Sequence, residues 1–219
     1  MLVLLHGALG NAAQLAGLAA RLAPDGAVAL PDLDGHGARP DAGPFDLGAF
    51  VDTVLAAGDG PLDLVGYSLG GYVALAAAAA APERVRRVVT VATKLAWTPE
   101  VAAAEARRLD PDRLTERAPA FVADLAGRHP GPGARTMLER TAAFLTGLGT
   151  APPLDLGAVA CPTLVVVGEA DALVTRAECE AAVDRLPHGR LAVLPGAPHQ
   201  YERLDEAALA DLIGGFLGG

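Results

Sequence analysis

The sequence predicts an α/β protein built on a doubly wound parallel sheet. Short apolar runs of strand length alternate along the chain with segments whose apolar residues recur at helical spacing. This alternation is typical of parallel strands joined by right-handed crossover helices. The strand signal stops once, between about residues 95 and 154, where only helical patterns remain. We therefore expect six parallel strands, with a helical insertion after the fourth.

The first third of the chain predicts two strands and two helices. Leu2–Leu5 is wholly apolar, as expected of a strand buried on both faces of a parallel sheet. A helix follows with apolar residues at helical spacing, and Asn11 can cap it. A second strand is predicted at 27–30, followed by a glycine-punctuated polar loop. Phe50 opens the apolar pattern of the next helix.

The central motif is a Gly-x-Ser-x-Gly at 66–70, between an apolar strand at 62–67 and an alanine-rich helix at 69–81. Glycines on both flanks remove the Cβ atoms that would clash in so tight a turn, which leaves the hydroxyl of Ser68 exposed. Ser68 is also the only serine in the chain. We therefore predict that Ser68 is a nucleophile.

The rest of the chain predicts the end of the sheet and the insertion. The elements are a strand at 85–91, insertion helices beginning at Thr98, at Pro119 and near Ala134, strands at 163–167 and 191–194, and a closing helix at 205–216. This divides the 219 residues into a core, residues 1–94 and 155–219, and an inserted helical lid, residues 95–154.

Five motifs, in this order, make the chain resemble the α/β-hydrolase family. They are Leu2-Val3-Leu4-Leu5-His6-Gly7, Pro31-Asp32-Leu33-x-Gly35-His36-Gly37, Gly66-x-Ser68-x-Gly70-Gly71, Gly168-Glu169-x-Asp171 and Gly196-x-x-His199. The sequence opens at what this family counts as its third strand, so we expect no N-terminal antiparallel hairpin. The sheet is then expected to be wholly parallel, in the order 2-1-3-4-5-6.

A serine hydroxyl needs a base within hydrogen-bond reach and an acid that orients the base. His199 follows the last predicted strand and is the expected base. The loop after the fifth strand offers two carboxylates, Glu169 and Asp171, and the family resemblance favours Asp171. Asp32 is the alternative acid. Of the other histidines, His6 is expected to be structural and His36 to lie in a turn, with surface turns predicted for His129 and His188.

The negative charge that develops on a carbonyl oxygen during acyl transfer calls for two converging backbone N–H groups. Leu69 follows the nucleophile and opens a helix whose dipole favours negative charge. Ala8 lies in the loop after the first strand. We predict that these two residues form the oxyanion hole.

Substrate selection is expected in the insertion, where apolar side chains are concentrated. They are Trp97, Phe121, Met137, Leu138, Phe144 and Leu145, and most of the six are expected in the lid core. Trp97, Phe121 and Phe144 are the ones predicted to bind the substrate. Lys94, the sole lysine, ends the fourth strand. It either faces solvent or contacts an anionic or polar substrate group.

The composition of the chain indicates which binding partners and cofactors to expect. A formal charge of −9 disfavours nucleic acid and anionic membranes. The sequence shows neither a signal peptide nor a run of transmembrane length, so a cytoplasmic location is expected. Cys161 and Cys179 are expected to be reduced and structural. No metal-ligand spacing, phosphate cradle or dinucleotide fingerprint occurs, and the serine chemistry of the resembled family needs no cofactor.

These observations predict a hydrolase that cleaves a small-molecule ester, thioester or lactone through an acyl-enzyme. Two alternatives remain open. One is a lyase or C–C bond hydrolase that uses the same three residues, and the other is a ligand receptor on a hydrolase scaffold. The substrate and the oligomeric state are not predicted.

Overall fold

The computed structural model describes residues 1–24, 26, 28–39 and 43–218, in which six strands form a single sheet. Every neighbouring pair of strands is parallel, and the order is β2-β1-β3-β4-β5-β6. The predicted fold class and strand order are therefore confirmed. The strands are β1 (Leu2–Leu5), β2 (Val28–Ala29), β3 (Leu62–Tyr67), β4 (Val85–Val91), β5 (Thr163–Gly168) and β6 (Gly189–Leu194).

Helices cover both faces of this sheet, because alternate residues of its central strands point to opposite sides and are apolar on both. One face packs against α1 (Ala16–Leu22) and α9 (Glu206–Gly218). The other packs against α2 (Leu47–Leu55), α3 (Leu69–Ala80) and α8 (Arg176–Val183). No helix in the described ranges is both long and apolar enough to cross a membrane.

Four helices lie between β4 and β5 in the described chain, one more than predicted. They are α4 (Pro99–Arg108), α5 (Pro111–Arg117), α6 (Pro119–Arg128) and α7 (Gly133–Thr150). The hydroxyl of Thr98 caps α4 as expected. The unpredicted α5 begins with Asp110 as N-cap, and no residue of this fully described helix is buried, so it has no apolar periodicity to detect.

Helix α8 was also missing from the prediction. It is short and polar, and a capping box formed by Thr175 and Glu178 marks its start. The second strand is shorter than the predicted 27–30, and Ala27 lies outside the described residues.

The predicted cap at Asn11 was wrong. Its side chain makes no capping hydrogen bond, and its amide instead approaches the carbonyl oxygen of Arg128 at 3.5 Å. The adjacent N–H of Ala12 donates to the carboxylate of Asp32 at 2.7 Å. A residue of a different loop therefore satisfies this donor.

Candidate active site

The turn between β3 and α3 has the strained backbone of a nucleophile elbow. Ser68 has φ 51° and ψ −116°, a conformation that side chains rarely adopt. A Cβ atom at Gly66 would overlap the backbone of Gly70 and Gly71, so only glycine fits there. The hydroxyl of Thr93, just after β4, donates to the carbonyl oxygen of Ser68 at 3.1 Å and supports the turn.

Three of the predicted site residues lie in one hydrogen-bonded line. The Oγ of Ser68 is 3.4 Å from the Nε2 of His199, and the Nδ1 of His199 is 2.9 Å from an oxygen of Asp171. The side chain of Asp171 is 0% exposed, whereas that of His199 is 18% exposed. An ionised carboxylate accepts only, so Nδ1 carries the proton and Nε2 is free to accept from the serine.

Local hydrogen bonds keep Asp171 ionised despite its burial. Burial acts most strongly and raises its pKa, but hydrogen bonds from His199 and from the N–H groups of Val174 and Leu173 outweigh it, and the pKa is lowered. Both N–H groups donate to the same carboxylate oxygen at 2.8 Å. The other oxygen is thereby left for the imidazole.

The two alternative acids lie elsewhere and hold loops. Glu169 is exposed and accepts a hydrogen bond from the N–H of Gly196 at 2.9 Å, which secures the loop that leads to His199. Asp32 accepts from the N–H groups of Ala12 and Ala38. The structure therefore brings Asp171, and neither alternative, to the histidine.

The predicted oxyanion donors line the same cavity as Ser68. Ala8 lies on the loop after β1, and Leu69 opens α3. Among the hydrogen bonds of the described residues, none is donated by the N–H of Ala8 or of Leu69. The assignment of these two N–H groups to an oxyanion hole stays a prediction, and Leu69 lies at the positive end of the dipole of α3.

The cavity above Ser68 has a volume of about 520 Å³ and a mainly apolar wall. The insertion supplies much of that wall, including Trp97 and Phe121 as predicted. The apolar and aromatic side chains that line it are Leu9, Tyr67, Leu69, Tyr72, Trp97, Leu109, Phe121, Leu145, Leu148 and Leu173.

The prediction for Phe144 needs correction. Its ring packs against Phe50 of α2, with centroids 5.4 Å apart, and belongs to the core of the main sheet. Met137 and Leu138 are buried in a small core within the insertion. Only one face of α7 can line the cavity, and Leu145 lies on that face.

The solvent-facing interpretation of Lys94 was wrong, and a contact of Lys94 with the substrate stays a prediction. Its ammonium group forms an ion pair with Glu178 of α8 at 3.1 Å and donates to the carbonyl oxygen of Leu173 at 3.2 Å. The carboxylate of Glu178 also accepts from the N–H groups of Leu95 and Ala96. Lys94 thus helps to tether the start of the insertion, and it is also one of the residues that line the cavity.

Sequence reasoning missed two polar residues that support the site. The hydroxyl of Tyr67 donates to the carbonyl oxygen of His199 at 2.9 Å. The amide oxygen of Gln14 accepts from the N–H of Gly7, at the start of the oxyanion loop, at 3.0 Å. Tyr67 lies inside the elbow motif, so its position was a usable signal. Gln14 carried no comparable signal.

The surface position predicted for His129 was wrong, because its side chain is completely buried between the loop after β1 and the loop after β2. His6 and His36 are buried beside it, and His188 is exposed as expected. His6 is structural in the way predicted: it accepts from the N–H of Leu33 at 3.0 Å and donates to the carbonyl oxygen of Gly7 at 2.8 Å.

Comparison with known proteins agrees with this architecture. Residues 2–212 match the model of the alpha/beta hydrolase family. The chain therefore belongs to the alpha/beta hydrolase family.

The relatives and solved structures that the chain resembles include two esterases. A pimeloyl-[acyl-carrier protein] methyl ester esterase of Neisseria meningitidis serogroup B (strain MC58) is 31% identical, with 99% of this chain and 92% of that protein covered. The solved structure of a thermophilic esterase from Thermogutta terrifontis has a TM-score of 0.76 at 26% identity, covering 99% of this chain and 88% of that one. NosK from Streptomyces actuosus has a TM-score of 0.82 at 25% identity, with coverages of 98% and 96%. The family match and the esterase relatives together support an ester-hydrolysing enzyme.

Proposed function

We propose that this chain cleaves a small-molecule carboxylic ester, thioester or lactone through an acyl-enzyme on Ser68. The observation that carries the proposal is the continuous contact from Ser68 through His199 to the buried carboxylate of Asp171. A base that is oriented by an acid in this way makes a serine hydroxyl nucleophilic at neutral pH. The 3.4 Å between Oγ and Nε2 is long for a hydrogen bond, as is common before substrate binds.

In the acylation step, the Oγ of Ser68 bonds to the substrate carbonyl carbon, and its proton passes to the Nε2 of His199. The carbonyl electron pair moves to oxygen and gives a tetrahedral oxyanion. When that pair returns, the bond to the leaving oxygen or sulfur breaks, and the imidazolium gives its proton to the departing group. Asp171 stays ionised throughout and stabilises the imidazolium.

Deacylation repeats these steps with water. His199 removes a proton from the water as its oxygen bonds to the acyl carbon. The second tetrahedral oxyanion then collapses, the bond to Oγ breaks, and the proton on His199 returns to Ser68. The carboxylic acid leaves and the enzyme is restored.

The oxyanion of both steps is stabilised by the N–H groups of Ala8 and Leu69. These groups lie on a loop and a helix terminus that exist before substrate arrives, so little reorganisation is needed. One such donor is worth roughly 10²- to 10³-fold in kcat in a well-studied serine protease. We therefore expect the two N–H groups to contribute substantially to kcat.

The apolar cavity wall favours an acyl or alcohol group of hydrocarbon character, and we propose that the helical insertion acts as a lid over it. The N. meningitidis relative is named for a methyl ester, which makes methyl esters of acyl chains a first class to test. The esterase relatives also favour an ester over a C–C bond.

The test is pre-steady-state hydrolysis of p-nitrophenyl esters of graded acyl length. An acyl-enzyme predicts a burst of p-nitrophenol equal to the enzyme concentration whenever deacylation is the slower step. Ser68→Ala should lower kcat by at least about 10⁴-fold. Thr115→Ala, which removes an exposed hydroxyl of α5, is the control and should match the wild type. An active Ser68→Ala variant would refute the proposal, and a chain inert to all esters but active on a C–C bond would favour the alternative chemistry.

A further inference from the structure

His129, which directly follows α6, reaches out of the insertion to the loop that carries Ala8. Its Nδ1 accepts a hydrogen bond from the N–H of Gly37 at 2.9 Å. In a neutral imidazole the other nitrogen is then the donor, and Nε2 lies 3.2 Å from the carbonyl oxygen of Leu9. The guanidinium of Arg128 also approaches that oxygen, at 3.5 Å.

His129 remains neutral because it is buried. Burial, the largest influence, lowers its pKa, the hydrogen bond to Leu9 raises it by less, and the charges of Arg128 and Asp32 act in opposite directions. A neutral ring has one donor and one acceptor. Because Nδ1 accepts from the N–H of Gly37, the proton of the neutral ring must be on Nε2. The Nε2–H group therefore donates to the carbonyl oxygen of Leu9.

The carbonyl of Leu9 begins a chain of peptide groups that ends at the proposed oxyanion hole. It shares a peptide unit with the N–H of Gly10, which donates to the carbonyl oxygen of Gly7 at 3.0 Å. The carbonyl of Gly7 shares its peptide unit with the N–H of Ala8. In a trans peptide the C=O and the N–H point in opposite directions, so each hydrogen bond sets the direction of the next N–H.

We propose that His129 is a positioning residue that sets the direction of the Ala8 N–H. It acts through two peptide groups, the one that joins Leu9 to Gly10 and the one that joins Gly7 to Ala8. The inference rests on the proposed function, because it gives this N–H the oxyanion as its partner. It assigns to the insertion a role in the chemical step, in addition to covering the substrate.

Two further histidines act on the same loop and show why the contribution of His129 is separable. His6 donates to the carbonyl oxygen of Gly7 from within that loop, and His36 lies 2.9 Å from the carbonyl oxygen of Ala8. Both lie in loops that directly follow strands of the sheet and not in the insertion. Aligned hydrogen bonds polarise one another, so loss of the outermost donor weakens the final one without removing it.

Two substitutions of His129 separate its donor from its acceptor. Asparagine places its amide oxygen close to the position of Nδ1, which keeps an acceptor for Gly37 but leaves no donor within reach of Leu9. Glutamine places its amide nitrogen close to the position of Nε2 and keeps that donor. Nε2-methylhistidine, introduced at position 129, keeps the ring and Nδ1 but cannot donate, and it serves if His129→Asn does not fold. His188→Asn is the control for removing an exposed imidazole.

The readouts are kcat and KM for p-nitrophenyl butyrate, the inhibition constant of an alkyl trifluoromethyl ketone, and the melting temperature. The ketone accepts the Oγ of Ser68 at its carbonyl carbon, and its oxygen becomes an oxyanion in the same place as in the reaction. His129→Asn should lower kcat about tenfold, less than the loss of a whole donor, with KM within about twofold. The inhibition constant should rise by the same factor as kcat falls, and His129→Gln should recover most of both.

Three results would overturn the inference. They are an unchanged kcat in His129→Asn, equal losses in the asparagine and glutamine variants, or a loss of activity that disappears once each variant is assayed well below its melting temperature. Any of these with Ser68→Ala inactive would leave the proposed function intact. Retained activity in Ser68→Ala would remove the proposed function itself.

Discussion

The phenolic hydroxyl of Tyr67 donates a hydrogen bond to the backbone carbonyl oxygen of His199, 2.9 Å away. Tyr67 directly precedes Ser68, and its ring lies tilted beside the imidazole, with centroids 5.8 Å apart. Burial is the main cause that raises its pKa, so the phenol is a neutral donor at physiological pH. One side chain therefore connects the turn that carries the nucleophile to the loop that carries the proposed base.

Tyr67→Phe should lower kcat about twofold to tenfold with little change in KM, because a net hydrogen bond is worth about 0.5–1.5 kcal/mol and this one places the base. Steady-state kinetics with a p-nitrophenyl ester measures this effect. Tyr201→Phe is the control, since it loses a hydroxyl bonded to Glu206 at 2.8 Å in the adjacent ring. Equal losses in the two variants would mean that general packing, and not the position of His199, is responsible.

Asp171→Asn should lower kcat roughly 10⁴-fold with KM nearly unchanged, because an amide favours the wrong tautomer of His199 and cannot stabilise an imidazolium. Glu169→Gln should lose about tenfold or less, since Glu169 only bonds the N–H of Gly196. Kinetics of the two variants, side by side, measure the difference. If Glu169→Gln proves the more damaging, the proposed acid is wrong.

Trp97→Ala should lose activity in proportion to acyl length, since each buried methylene is worth about 0.8 kcal/mol, or roughly fourfold in kcat/KM. Acetyl esters should be almost unaffected. Phe144→Ala is the comparison variant, because Phe144 packs against Phe50 away from the cavity. This variant should have a lower melting temperature, and its kcat/KM should fall by a similar factor for esters of every acyl length. A loss that grows with acyl length in Phe144→Ala but not in Trp97→Ala would contradict the proposed cavity wall.

Acid should destabilise the protein through its buried histidines. Burial, foremost, and the neighbouring His36 lower the pKa of His6 from 6.5 to about 3. The unfolded chain binds this proton below pH 6.5 and the folded chain does not. The free energy of unfolding is therefore highest above pH 6.5 and falls toward pH 3, by up to about 1.4 kcal/mol per pH unit for this histidine. The lowered pKa values of His36 and His129 act in the same direction.

Urea unfolding at several pH values between 8 and 5 measures this dependence. His6→Asn should have a lower free energy of unfolding than the wild type at pH 8. Below pH 6.5, however, its free energy of unfolding should depend less steeply on pH, by the equivalent of about one bound proton. A slope unchanged in His6→Asn would show that His6 is not held neutral in the folded state.

The sequence was most informative where one local pattern decides the structure. The apolar runs of β1 and β3 and the glycines around Ser68 are such patterns, and they predicted the sheet and the elbow. The residues predicted as nucleophile, acid and base were Ser68, Asp171 and His199. In the structure His199 contacts both of the others. The short helix α8 buries only two small residues, Cys179 and Ala182, so its apolar face is weak and its capping residues were the clearer signal.

Long-range polar partners could not be predicted, because nothing local specifies them. Lys94 and Glu178 are 84 residues apart, and His129 is 120 residues from Leu9. A single histidine between two helices fits a surface turn as well as a buried contact, and only the packing of the insertion on the core decides. The same holds for Phe144. An apolar residue of α7 can face either the cavity or the core of the main sheet, and Phe144 faces the core.

The most direct test of the proposed chemistry is mass spectrometry of the protein after reaction with a fluorophosphonate probe. Such reagents modify activated serines, and Ser68 is the only serine in the chain. The account predicts one adduct per molecule, on Ser68, formed at a rate that falls strongly in His199→Gln and absent in Ser68→Ala. An adduct on another residue, or one that persists in Ser68→Ala, would contradict it.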